Sequence, residues 1–141
     1  TVLENLEFAD IVRGSDRGLS RTFMARATHQ EVYKEHIQFY CDRFLTTHGA
    51  NGVNLHTRNF TDISISPQIQ PLSTIGAGDN FNAGIIYGLL KYDVRHADLP
   101  SLDQDTWGKI IRCGMDLASE VCQSYDNYIS KEFAAKYVSQ S

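Results

Sequence analysis

The chain has 141 residues, 42% of them apolar and 21% charged, a composition that fits one soluble globular domain and argues against a disordered or membrane-spanning chain. Its 13 Lys and Arg against 17 Asp and Glu leave a net charge of -4, which provides no electrostatic footprint for nucleic acid. The expected partner is a small molecule, with no nucleic acid and no membrane.

The opening TVLENLEFAD carries neither a basic segment nor a long apolar run, so no signal or transit peptide is read and a cytoplasmic location is expected. Cys41, Cys113 and Cys122 are odd in number and lack the C-x-x-C spacing, which predicts reduced, mostly buried thiols. The five histidines show no metal-ligand spacing. FADIV, residues 8–12, reads as a buried strand ending in a turn at Arg13-Gly14. Thr28 and Glu31 have the spacing of a capping box, and Val32, His36, Phe39, Tyr40 and Arg43 follow at helical intervals, predicting a helix from about His29 to Arg43.

FLTTHGANGVNLHT, residues 44–57, reads as strand, glycine-rich turn and strand, with Asn51-Gly52 as the hairpin dipeptide. Ile63 and Ile65 alternate with polar residues in a half-exposed strand that Pro67 ends. A helix is predicted from Gly78, with Phe81, Ile85, Gly88 and Leu89 along one side and the small residues Ala83, Gly84 and Gly88 permitting close packing. A polar loop covers about 93–104, a long amphipathic helix carries the apolar stripe from Trp107 to Tyr125, and Ser130 caps a last helix. Strands interleaved with helices predict an α/β sandwich, in which ligands gather at the carboxyl ends of the strands.

The stretch LSTIGAGDNFNAG, residues 72–84, carries the clearest chemistry. Gly76, Ala77 and Gly78 open a helix, where free backbone N–H groups and the positive end of the helix dipole attract anions. Asp79 would repel a bound phosphate, unless its task is to take a proton from a group attacking that phosphate. No lysine follows either glycine cluster at the P-loop offset, and Phe81 stands where a dinucleotide fingerprint needs its third glycine. What remains is an anion cradle with an aspartate at its rim.

STIGAGDNFNAG resembles the signature of the PfkB, or ribokinase-like, carbohydrate kinases, usually D-T-x-G-A-G-D-x-F-x-A-G, through Thr74, Gly76, Ala77, Gly78, Asp79, Phe81, Ala83 and Gly84. Upstream, TTHGANG is similar to the family's T-x-G-x-x-G nucleotide turn through Thr47, Gly49 and Gly52. ADIVRGSD, residues 9–16, resembles the strand leading to the family's N-x-x-E magnesium motif, with Arg13 and Asp16 at its ends. The resemblance implies a ribokinase-like three-layer α/β/α sandwich and an ATP-dependent kinase that phosphorylates a hydroxyl of a sugar or sugar-like small molecule.

It further implies Asp79 as general base, the Gly76, Ala77 and Gly78 backbone as anion hole, Thr47, Gly49, Gly52 and Thr74 as nucleotide contacts, and ATP with Mg²⁺ as cofactors, Asp16 assisting the metal indirectly. Ser73 replaces the aspartate that helps to hold a monovalent cation in many members, which argues against a cation requirement. No counterpart of the family's N-terminal sugar-binding half and lid is recognised, so the 141 residues read as the C-terminal, nucleotide-binding part of such a kinase. The full-length protein is compatible with a homodimer. Each assignment has a structural counterpart: Asp79 as an ordinary first-turn acid, the GANG turn as a plain hairpin, Asp16 as a turn residue. The alternative function is a non-catalytic nucleotide- or sugar-sensing relative.

Overall fold

The structure is a computed structural model that describes residues 5–15, 32–48, 52–60, 63–65, 76–123 and 128–140. It divides into two compact units, Thr1–Ser66 and Pro67–Ser141. Among the described residues, the first is built on a mixed sheet of four strands, β1 (Val12–Ser15), β2 (Phe44–Thr47), β3 (Val53–His56) and β4 (Ile63–Ile65), in that spatial order. β1 runs parallel to β2, with Val12 opposite Phe44 and Ser15 opposite Thr47. β2 and β3 are antiparallel, Thr47 opposite Val53, as are β3 and β4, Val53 opposite Ile65.

Phe44, Leu45 and Thr46 are all buried, as are Val53, Leu55 and His56, so neither β2 nor β3 shows the alternation of a strand with one face in water. Strands closed on both sides read as continuous apolar runs. One face carries Phe44 and His56, and Tyr33 stacks on both, with ring centroids 6.1 and 5.1 Å away. Leu6, Val32 and Ile37 complete this cluster, and Val12 packs against it. The Tyr33 hydroxyl donates to the Asp42 carbonyl at 2.9 Å, which gives a buried phenol its polar partner.

Two elements of this unit differ from the sequence reading. β1 begins where the predicted strand was to end: Phe8 is 79% exposed in a turn closed by its N–H on the Asn5 carbonyl, and Arg13-Gly14 lies inside the strand. Register with β2, entered through the Val12 N–H on the Arg43 carbonyl at 2.9 Å, sets that boundary. Of the helix predicted to run to Arg43, the described part ends in a π turn, Tyr33–Ile37, in which the Gln38 N–H reaches the Tyr33 carbonyl at 2.8 Å, so it stops short of Arg43; its predicted start at His29 lies outside the described residues. Phe39, read as part of its apolar stripe, is 87% exposed, because the chain turns after Ile37 to enter β2. The Thr28 and Glu31 capping box and Pro67 lie outside the described residues.

The second unit is helical where it is described: α1 (Ala77–Lys91), α2 (Gln104–Cys122) and α3 (Lys131–Ser139). Gly84 lets α1 approach α2 so closely that a Cβ there would lie 2.4 Å from the Cys113 carbonyl oxygen. Phe81 and Ile85 flank Gly114 of α2 in the same contact. The stripe of Trp107, Ile110, Ile111, Met115, Val121 and Cys122 is buried, as its spacing predicts, while Tyr125 lies outside the described residues. Asp103 caps α2, accepting from the Thr106 N–H at 2.7 Å, and Ser130 caps α3, accepting from the Phe133 N–H at 3.1 Å. α3 is tied to α2 by the Tyr137 hydroxyl, which donates to Asp116 Oδ2 at 2.8 Å; burial and these neighbours push its ionisation far up. The segment read as a loop over 93–104 contains a 3₁₀ helix, His96–Ser101, whose start is closed by the Asp98 carboxylate accepting from the Arg95 N–H. All three cysteines are free and buried. No described helix is long and apolar enough to cross a membrane.

Candidate active site

The two glycine-rich turns fall in different units, and each has its own local cause. In the second unit the N-cap of α1 is Gly76, whose φ of 78° and ψ of -1° place it in the left-handed region that a Cβ disfavours. Among the described residues, no side chain makes a cap hydrogen bond to this helix. The intrahelical ladder begins with the Asn80 N–H on the Gly76 carbonyl at 3.1 Å, and the Asn80 side-chain amide donates to the same oxygen at 2.8 Å. A carbonyl held by two donors fixes the plane of the peptide from which Ala77 and Gly78 continue.

The first N–H groups of an α-helix have no intrahelical acceptor, and at an uncapped terminus they are available to an anion. Asp79 lies in this first turn and is exposed, so its carboxylate is open to a proton donor arriving from outside. Asn80 did not enter the sequence reading of the site; its signal is the i, i+4 spacing to Gly76 within the signature. Thr74 and Ser73 lie outside the described residues. The anchoring of α1 through Gly84 on the α2 backbone sets where this terminus stands within its unit.

In the first unit, the turn between β2 and β3 leaves from the carboxyl end of β2 and is closed by the His48 N–H on the Gly52 carbonyl at 2.8 Å. Gly52, with φ of 104°, adopts a backbone that side-chain-bearing residues rarely do, so glycine is required here by geometry. The hairpin reading of this stretch therefore holds for β2, β3 and Gly52, while Gly49 and Asn51 lie outside the described residues. Because β1 is parallel to β2, the carboxyl ends of both strands lie together, and Ser15 is the partner of Thr47. Arg13 donates from Nη1 to Thr47 Oγ1 at 3.1 Å. Asp16 lies outside the described residues. Among those described, no three His, Cys, Asp or Glu side chains cluster so as to hold a metal ion.

The family model described as pfkB family carbohydrate kinase matches residues 1–133. The chain belongs to the pfkB family.

Among solved structures, a fructokinase from Vibrio cholerae O395 in its fructose, ADP and calcium ion bound form superposes with a TM-score of 0.73 at 22% identity, covering 97% of this chain and 42% of that one. The aminoimidazole riboside kinase from Salmonella enterica, complexed with aminoimidazole riboside and an ATP analogue, gives 0.73 at 16% identity over 95% of this chain and 44% of that one. Arabidopsis thaliana ribokinase complexed with ribose and ATP gives 0.66 at 20% identity over 99% and 44%. At such identities the likeness carries the fold alone, which is ribokinase-like α/β, as the sequence reading expected. The chain spans less than half the length of these structures. A search of curated protein sequences finds no match.

Proposed function

We propose that the chain is the C-terminal, nucleotide-binding part of a carbohydrate kinase that moves the γ-phosphoryl group of ATP to a hydroxyl of a sugar or sugar-like molecule. The observation that carries this reading is the start of α1: a left-handed Gly76, no capping side chain among the described residues, and an exposed Asp79 in the first turn. An ordinary soluble helix is stabilised by a Ser, Thr, Asn or Asp at its N-cap. Here that place is left to glycine, and this suits a terminus whose N–H groups serve a ligand.

Phosphoryl transfer asks the protein for positioning and for stabilisation of the charge on the transferred group's oxygens. The N–H groups of Ala77, Gly78 and Asp79, fixed by the helix and by the doubly held Gly76 carbonyl, supply donors that need no reorganisation as that charge moves. Asp79 accepts the proton of the attacking hydroxyl, a general-base contribution of about 10²–10⁴-fold. Thr47, Gly49, Gly52 and Thr74 line the nucleotide in this proposal. Mg²⁺ supplies charge neutralisation at the phosphates when bound, with Asp16 as the residue offered toward it; Ser73 argues against a monovalent-cation requirement.

The test is Asp79→Asn in the full-length protein, assayed with ATP, Mg²⁺ and a panel of sugars. A kcat lowered by roughly two to four orders of magnitude, with ATP affinity held or improved because a charge facing phosphate is removed, is the expected result. Unchanged kcat would remove Asp79 from the role of base. Absence of turnover in the wild-type protein, with nucleotide binding intact, would point instead to a sensing relative.

A further inference from the structure

The geometry points to Arg13 as a positioning residue for the nucleotide's phosphates: it holds the Thr47 hydroxyl as a hydrogen-bond donor and places a permanent cation beside it. The inference rests on the nucleotide role proposed above for Thr47. From the sequence, Arg13 is only a departure from the asparagine of the family motif. The sheet gives it a task.

Register explains why the two residues meet. Arg13 is opposite Leu45 in the parallel pair and Ser15 is opposite Thr47, so Arg13 and Thr47 lie on one face of the sheet, a single side-chain step apart. The guanidinium reaches along that face to Thr47 Oγ1 at 3.1 Å. Both side chains are half-buried. A charge-assisted bond in such a place is screened less by solvent than one on an open surface.

The chemistry of the pair has a direction. A threonine hydroxyl has one proton to give and lone pairs to receive, whereas a guanidinium only donates and stays charged at any physiological pH. With Arg13 on its lone pair, Thr47 is polarised toward giving its own proton. A phosphate oxygen only accepts, so it is complementary to that donor and attracted by the adjacent charge. A neutral asparagine at position 13 offers an acceptor as well as a donor and carries no charge, so it imposes no such polarity on Thr47. Arg13, the second residue of β1, thus reaches to Thr47 at the carboxyl end of β2, the end at which α/β proteins receive their ligands.

The alternative is that the bond merely ties β1 to β2. Calorimetric ATP binding, steady-state kinetics and urea unfolding of the full-length protein separate the two. Arg13→Met is expected to weaken ATP binding by roughly 10- to 100-fold, the range for loss of a hydrogen bond to a charged group, and to raise the KM for ATP more than it lowers kcat. Arg13→Lys, which keeps a cationic donor, should recover most of the affinity. On a Thr47→Val background the Arg13→Met change should add less than about threefold, because the two act as a unit. Should Arg13→Met fold poorly, Arg13→Gln keeps an N–H donor without the charge and is expected to weaken ATP several-fold. ATP affinity in Arg13→Met or Arg13→Gln within about twofold of wild type, whatever the change in stability, overturns the role of Arg13 while leaving the nucleotide site standing. If the wild-type protein binds no ATP at millimolar concentration, the proposed function itself fails and this inference falls with it.

Discussion

Replacing Gly84 by alanine is expected to destabilise the second unit, although alanine is the better helix former. An added Cβ would lie 2.4 Å from the Cys113 carbonyl oxygen, 2.5 Å from Gly114 Cα and 2.8 Å from the Cys113 carbonyl carbon. Non-bonded carbon contacts relax only near about 3.5–4.0 Å, so α1 would have to move away from α2 by about an ångström. All three obstacles are backbone atoms of a helix, which cannot rotate aside as a side chain can. Overpacking of this kind costs about 1–3 kcal/mol, and the backbone obstacle argues for the upper half of that range. The gain in helix propensity from Gly to Ala is only about 1 kcal/mol, so the net loss is about 1–2 kcal/mol.

Gly108 supplies the control. It is also interior to a helix, α2, yet nothing lies within 4 Å of a Cβ built there. Gly108→Ala should therefore keep most of the propensity gain and stabilise by up to about 1 kcal/mol. Gly88, where the nearest atom is Ile110 Cα at 3.0 Å, should fall between the two. Urea unfolding of the full-length protein followed by circular dichroism measures all three. Equal stability of Gly84→Ala and Gly108→Ala would refute the reasoning, since the two substitutions would differ only in what surrounds the new methyl group.

Gly76→Ala forces a Cβ into the left-handed region and should cost about 1–2 kcal/mol of stability while weakening ATP binding; normal values of both would mean that the turn tolerates another backbone or that the anion is held elsewhere. Burial, and to a smaller extent the Asp42 charge, push the Tyr33 hydroxyl from 10.0 up to about 12. The folded state then keeps a proton that the unfolded chain gives up, so this contribution to stability is complete below pH 10.0 and is lost as the pH rises toward 12. Tyr33→Phe should therefore show a shallower loss of stability than wild type between pH 10.0 and about 12 in urea titrations, and parallel curves would show that Tyr33 does not set the alkaline limb.

Much of this protein is legible in its sequence because the determining signals are local. The hairpin of β2 and β3, the short β4, the α1 and α2 helices and the cap at Ser130 follow from residue alternation, helical spacing and glycine placement within a few residues of one another. The same locality makes the family recognisable: Gly76 to Gly84 is one helix start, and the constraints of a left-handed N-cap, an open anion site and a close helix contact fall on consecutive positions. Gly84 itself is legible in the sequence as a small residue and as the end of the family signature; what it admits, the backbone of Cys113 and Gly114, is set by a helix some thirty positions on.

Where the deciding partner is distant, local signals mislead. The apolar run at Phe8 to Val12 has the composition of a buried strand, but strand limits are fixed by hydrogen bonds to β2, and these begin at Val12. The spacing from Val32 to Arg43 suits a helix, yet the chain must turn after Ile37 for Phe44 to enter the sheet, so the helix ends in a π turn at Ile37 and Phe39 is left in solvent. The meeting of Arg13 with Thr47 is of the same kind. Each residue is placed by its own strand, 34 positions apart, and only parallel pairing in one register brings a guanidinium onto a hydroxyl. Residue types and short-range spacing determine which groups are available for chemistry; sheet register and helix approach decide which of them touch, because those are set by the sum of many weak contacts along whole elements.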